Sequence, residues 1–260
     1  METAVTLIIY MAALFGIALL GAYTPYIREL TDKQVHLLVA LSAGIFLGIL
    51  FFLLLPESLH ESSEGGIEEK YVMITILVGF LAILLTDVLI KHFHMASCPC
   101  ECHKEQHRHK IGTLSAFFGL AVHAFVDGLV LATALMADSE IAWLALIGMC
   151  IHKYVEVFSL SSTFLLSEEE KSTVMKYLIA FSLITPVAAL ISYLVFNGVS
   201  VEGMVGLPLA FSAGTFMYVA FCHMVPEAFH REEQDIRSFL FLLIGIGIAA
   251  FVFLTFGHAH

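Results

Sequence analysis

Leu41-Ser42-Ala43-Gly44-Ile45-Phe46 leads to Pro56-Glu57-Ser58-Leu59-His60, and Phe211-Ser212-Ala213-Gly214-Thr215-Phe216 leads to Pro226-Glu227-Ala228-Phe229-His230. Ser, Ala, Gly, Phe, Pro, Glu and His recur in register between the two stretches, at a constant offset of 170 residues. Small residues are common at helix interfaces in any membrane bundle, but a match held in register over the whole stretch argues against coincidence. The two copies fall on the second and seventh of the apolar segments set out below. Five segments apart is an odd number, so the copies cross a membrane in opposite directions. Inverted repeats are a recurring transporter design, with the substrate held near the midplane where the halves meet.

The chain around the repeat has 260 residues, of which 59% are hydrophobic and only 13% charged. An ordinary soluble domain is about a quarter charged, so the expected class is an all-α integral membrane protein embedded in a lipid bilayer. Stretches of about 20 apolar residues mark spanning helices. Eight are read, at roughly 3 to 23, 35 to 57, 71 to 92, 111 to 136, 141 to 166, 173 to 196, 204 to 228 and 236 to 257. Helices one to three and six to eight form the expected inverted repeats, with helices four and five between them. Residues 1–260 are read as one transmembrane transporter domain. No basic region or small-residue cleavage site accompanies the run from Ala4 to Leu20, so that run is expected to remain a helix rather than act as a signal peptide. The net charge of -11 comes mostly from carboxylates in short loops, which implies no nucleic-acid partner.

Orientation follows from the basic residues of the loops. Arg28, Lys33, Lys91, Lys104, Arg108, Lys110, Lys171, Lys176, Arg231 and Arg237 follow the odd-numbered helices, whereas the opposite loops carry Lys70 alone. Both termini are therefore expected outside, in a multi-pass plasma (cell inner) membrane protein.

Chemistry concentrates in the two unrepeated helices. His123 and Asp127 lie four residues apart on helix four, and His152 and Glu156 four apart on helix five. On a helix, each pair projects from one face, a turn apart. Ionisable groups inside a membrane are costly and usually face a bundle interior or a water-filled cavity. Two imidazoles and two carboxylates suit Zn²⁺ and tolerate Fe²⁺, Mn²⁺, Co²⁺ or Cd²⁺. The bland alternative is that these groups only cross-bond neighbouring helices. Lys153 lies three residues before Glu156, so its ammonium can reach the same carboxylates; the alternative is that it snorkels to an interface. Neutral imidazoles, two carboxylates and one ammonium sum to one negative charge, and zinc brings the site to one positive charge. Lys153 then stands where a second cation would otherwise be held, and a single-metal site is expected. No organic cofactor is implied.

The stretch from about 92 to 110 carries His92, His94, Cys98, Cys100, Cys102, His103, His107 and His109. It is read as a cytoplasmic loop with reduced thiols, either collecting or sensing metal or serving as a solvated linker of biased composition. His223 and Glu227 sit a turn apart on helix seven, as a secondary station on the path or, through Pro226-Glu227, as a helix-end device. Asp87 is expected to pair with a basic loop group. Pro186 is a candidate break in helix six. Cys150 and Cys222 are expected to be buried packing residues.

Taken together, these motifs resemble the ZIP (Zrt/Irt-like) family of divalent-metal transporters over nearly the whole chain. The likeness rests on the eight helices, the His-rich loop after helix three, His123 to Gly128 as His-x-x-x-acid-Gly, and His152 to Glu156 as His-x-x-x-Glu. It continues in the helix-seven Ser-Ala-Gly-Thr-Phe stretch that runs to His223 and Pro226-Glu227. The resemblance implies Zn²⁺ uptake into the cytoplasm through a primary site at His123, Asp127, His152 and Glu156. It also implies a homodimer and alternating access, with the metal-binding helices sliding against the repeat-related scaffold. Many members place Asn after the helix-four His, and some place a carboxylate after the first helix-five ligand, to hold a second metal. Here those positions are Ala124 and Lys153.

Two other classes compete with a transporter. An intramembrane zinc hydrolase needs three ligands, an open position and usually a separate base, and the four candidates leave neither. A metal-sensing membrane protein needs the ligands but no path. The inverted repeat favours transport over both.

Overall fold

The computed structural model describes residues 2–27, 31–95, 104–137, 139–166, 170–196, 205–229 and 236–256. Among these residues every regular element is helical. The chain runs through α1 (Glu2–Tyr23), α2 (Asp32–Ile49, continued by Leu50–Leu54 and Leu55–Glu64), α3 (Glu69–Met95), α4 (Lys104–Ala137) and α5 (Ser139–Leu166). It ends with α6 (Lys171–Phe196), α7 (Gly206–Tyr218, continued by Val219–Met224 and Val225–Ala228) and α8 (Ile236–Phe256). Seven of these are long and apolar enough to cross a membrane. The helix outside that set is α5, although eight spans were expected. The side chains of residues 139–142, 144 and 145 of α5 lie outside the described residues, so its apolar first half does not enter that count.

The helices pack in matched pairs. α2 lies against α8 and α7 against α3, α1 against α5 and α6 against α4, α2 against α5 and α7 against α4, while α4 and α5 cross each other. Glycine permits the two closest crossings. A Cβ on Gly44 would stand 2.0 Å from the carbonyl oxygen of Leu242, and one on Gly245 2.2 Å from that of Leu41. At the other crossing, a Cβ on Gly214 would stand 2.0 Å from the Ile76 oxygen and one on Gly79 2.2 Å from the Phe211 oxygen. No ordinary contact is that short, so the backbones touch only because side chains are missing there. Between the two crossings, Phe46 and Phe216 stack at 4.4 Å with planes 8° apart, joining α2 to α7.

α2 and α7 also share a departure from α-helical geometry. Leu50–Leu54 and Val219–Met224 are π-helical, and the backbone N–H groups of Leu55 and Val225 reach back five residues to the carbonyls of Leu50 and Ala220. Each widened turn directly precedes a proline, Pro56 or Pro226. A proline cannot donate and its ring crowds the carbonyl four residues back, and a wider turn relieves that conflict. The wider turn also leaves Phe221 and Cys222 exposed, which corrects the expectation that Cys222 is buried. Cys150 is half-buried and packs against a cluster that includes Leu7, Leu14 and Leu131.

Pro186 does not break its helix. α6 runs unbroken through it. The neighbouring Thr185 instead ties α6 to α4, its hydroxyl donating to the Ala124 carbonyl at 2.9 Å in a buried contact. Thr185→Val removes that donor and leaves the Ala124 carbonyl without it, so unfolding in detergent should be eased by about 1 kcal/mol. A thermal melt of the two proteins checks this.

The C-terminal end of α3 and the N-terminal end of α4 extend past the apolar windows. The sequence reading stopped helix three at 92 and began helix four at 111, but α3 continues to Met95 and α4 starts at Lys104. Residues 104–110 are polar, yet Lys, Glu, Gln and Arg are good helix formers. His94 therefore lies on α3 and His107 and His109 on α4, not in a loop.

Candidate metal centre

The crossing of α4 and α5 brings His123, Asp127 and His152 together, with one ligand atom from each lying within 4.8 Å of the others. Asp127 is the hub. Its Oδ1 lies 3.4 Å from His123 Nε2 and its Oδ2 lies 3.4 Å from His152 Nε2. That separation is long for a hydrogen bond. It matches the edge of a tetrahedron drawn around zinc with bonds of about 2.0–2.1 Å, which is about 3.3 Å. Both imidazoles present Nε2 to this point because Nδ1 is engaged elsewhere. His123 Nδ1 is 2.7 Å from the Ser212 hydroxyl of α7, and His152 Nδ1 donates to the Gly148 carbonyl at 3.1 Å. Such outer contacts fix the ring orientation and tautomer of a ligating histidine. His123 also packs edge-on to Phe216 at 4.8 Å. His123 and Asp127 are buried, while His152 is half-buried and is the most open member of the group.

Lys153 is buried and does not snorkel. Its ammonium donates to Asp127 Oδ2 at 2.9 Å and to Glu156 Oε2, and lies 5.6 Å from the centre of the Phe181 ring. Glu156 is as deeply buried, and among the described residues its Oε1 has no hydrogen-bond partner. Of the four expected ligands, three converge. Glu156 is held beside them by Lys153 rather than among them.

A family model described as ZIP Zinc transporter matches the chain over residues 2–110 and 97–252. The chain belongs to the ZIP zinc transporter family. Zinc transporter ZIP9 of Xenopus tropicalis is 26% identical to it, over 93% of this chain and 95% of that protein. Zinc transporter ZIP9-B of Xenopus laevis is 26% identical over 85% of this chain and 86% of that protein. Zinc transporter ZIP1 of Danio rerio is 29% identical over 57% and 49%. Family membership and the seven apolar helices make this a multi-pass membrane protein that transports divalent metal, zinc, rather than an enzyme.

The other expected site residues of this ZIP chain are dispersed. His223 lies in the π-helical part of α7 and packs edge-on to Tyr218 at 5.3 Å, while Glu227 falls beyond it in Val225–Ala228. Asp87, on α3, is buried and accepts a hydrogen bond from the Tyr218 hydroxyl at 2.9 Å. The hydroxyl is a partner the sequence reading did not name for Asp87. His92 is exposed near the end of α3. Cys98, Cys100, Cys102 and His103 lie outside the described residues, as do the side chains of His94, His107 and His109. Ser212 was legible only as a small residue of the repeat. The signal that could have singled it out is a hydroxyl placed opposite an intramembrane histidine.

Proposed function

We propose that this ZIP protein carries Zn²⁺ into the cytoplasm by alternating access through one metal site. The observation that carries the reading is the convergence of His123, His152 and Asp127, with one ligand atom of each within 4.8 Å of the others, in the buried crossing of α4 and α5. Zinc enters beside half-buried His152, exchanges water for these three ligands, and draws Glu156 from Lys153 as the fourth. Lys153 then keeps its bond to Asp127 and occupies the place of a second cation. A site without thiolate binds zinc strongly enough to strip its water and weakly enough to release it.

The scaffold in this reading is an inverted repeat of α1–α3 and α6–α8, with α4 and α5 moving against it in a single domain over 1–260. Its support is the offset of 170 residues that relates Gly44 to Gly214, Phe46 to Phe216 and Pro56 to Pro226, with the facing glycines Gly79 and Gly245 166 residues apart, and the π-helical turn ahead of each proline. The excess of basic residues after odd-numbered helices puts both termini outside and the Cys/His stretch at the cytoplasmic exit of a plasma membrane protein. His223 and Glu227 form a secondary station toward that exit, and Fe²⁺, Mn²⁺, Co²⁺ and Cd²⁺ are the secondary cargoes. The assembly is a homodimer in a lipid bilayer.

The test is Zn²⁺ entry into sealed liposomes holding the purified protein, with His152→Ala beside the parent. Saturable entry in the parent, reduced by about 100-fold or more in the variant, is the expected result. Elemental analysis of washed protein should find one zinc for each chain. Equal entry by both proteins, or two tightly held metals between α4 and α5, would refute the reading.

A further inference from the structure

Ser42 and Ser212 occupy the same place in the two copies of the repeated stretch, and both are fully buried. Their hydroxyls differ. Ser212 meets His123 Nδ1 at 2.7 Å, whereas the Ser42 hydroxyl has no hydrogen-bond partner among the described residues. A buried hydroxyl without a partner is destabilising, and alanine would fill nearly the same space without that penalty. Ser42 is therefore a liability in the conformation described.

The surroundings of the two serines are matched. Ser212 sits on α7, which packs against α4, the helix of His123-x-x-x-Asp127; Ser42 sits on α2, which packs against α5, the helix of His152-x-x-x-Glu156. His152, the counterpart of His123, uses a carbonyl of its own helix for Nδ1, that of Gly148. One half of the repeat thus makes a serine–histidine contact that the other half holds the parts for and does not make.

We infer that Ser42 is the positioning residue for His152 in the opposite-facing state of the transport cycle, as Ser212 is for His123 in the state described. The inference rests on the inverted-repeat reading above. When such a transporter turns from one side to the other, its two halves exchange conformations, so a contact made by one half passes to the other. His152 then exchanges the Gly148 carbonyl for the Ser42 hydroxyl, His123 releases Ser212, and each ring keeps Nε2 toward the metal while its own side of the membrane is closed or open. Zinc is handed between two states that each hold one histidine firmly.

Ser42→Ala, Ser212→Ala and Asp127→Ala are compared with the parent in liposomes, with Zn²⁺ presented to either face in turn. Reversibility of the carrier requires kcat/KM to fall equally in both directions, so the division between KM and kcat locates each contact. Ser42→Ala should raise KM about tenfold at one face with kcat kept, and lower kcat about tenfold at the other with KM kept. Ser212→Ala should give the mirror image. Thermal unfolding of the metal-free proteins in detergent supplies a second readout: Ser212→Ala lowers the unfolding temperature and Ser42→Ala leaves it unchanged or raises it. The inference is overturned if Ser42→Ala transports like the parent, shows its KM effect at the same face as Ser212→Ala, or lowers the unfolding temperature. If Asp127→Ala transports like the parent, the metal-site reading itself has failed; a dead Asp127→Ala beside a silent Ser42→Ala removes only this inference.

Discussion

Zinc entry into liposomes falls by more than about 100-fold when Asp127 is replaced by alanine, because this carboxylate faces both imidazoles and the Lys153 ammonium at once. Its two oxygens face both imidazoles at 3.4 Å, and one of them also accepts the Lys153 ammonium at 2.9 Å. The substitution therefore removes a proposed ligand and an anion together. With Asp127 the zinc-filled site carries one net positive charge; without it the charge rises to two, in a setting where uncompensated charge is expensive. The fold suffers less. Lys153 keeps its bond to Glu156, so the protein should still purify as a folded species, destabilised by about 1–3 kcal/mol. Asp127→Asn separates charge from shape: it preserves the side-chain volume, and entry should remain about as low as in the alanine variant. ⁶⁵Zn²⁺ uptake with a parallel thermal melt tests both. Entry within about threefold of the parent, from a well-folded alanine variant, would remove Asp127 from the path.

The largest effect on folding is expected at Gly44 and Gly214. Leucine at either position places atoms where the backbone of the facing helix already stands, since even a Cβ would approach the Leu242 or Ile76 carbonyl oxygen to 2.0 Å. Backbone cannot rotate away as a side chain can. The helices must separate and forfeit the packing along the α2–α8 or α7–α3 crossing, which should exceed the roughly 1–3 kcal/mol typical of overpacking and prevent recovery of folded protein. Gly16→Ala and Gly247→Ala are the controls, because a Cβ at either meets nothing within 4 Å. These two should be neutral or stabilising by up to about 1 kcal/mol through helix propensity. Size-exclusion profiles and melts in detergent distinguish the four proteins. A monodisperse Gly214→Leu melting with the parent would show that the α7–α3 crossing can open without consequence.

The helices and the clustering of His123, Asp127 and His152 were legible because membrane spans need long apolar runs and because a histidine and a carboxylate four residues apart stand out against them. Hydropathy fails where its assumption fails. It closed α3 and α4 too early since polar residues such as Lys104 to His109 continue a helix beyond the apolar region, and that misplaced His107 and His109 in a loop. It is equally blind to the π-helical turns, because an added residue in a uniformly apolar stretch such as Leu50–Leu54 leaves no mark on periodicity. Spacing put Glu156 on the face of His152 and Lys153 within its reach, but it could not decide which of metal or ammonium the carboxylate meets. That depends on the depth of Lys153 and on Phe181, which α6 contributes from another part of the chain. Ser212 was hidden for the same reason, since its partner lies 89 residues away in sequence.

The pairing of Lys153 with Glu156 has a consequence for biosynthesis. A lysine and an acidic residue at the centre of a nascent helix each oppose its transfer from the translocon into lipid by roughly 2.5–3.5 kcal/mol. The two lie three residues apart on α5, so they can neutralise one another within the emerging helix before any tertiary contact exists. What remains is met by neighbours. The helices against which α5 packs most extensively, α1, α4 and α2, all precede it in the chain and have left the ribosome by the time it emerges. α5 is thus made only after its receiving surface, and truncation of α1 should impair the membrane insertion of α5 while leaving that of α3 intact.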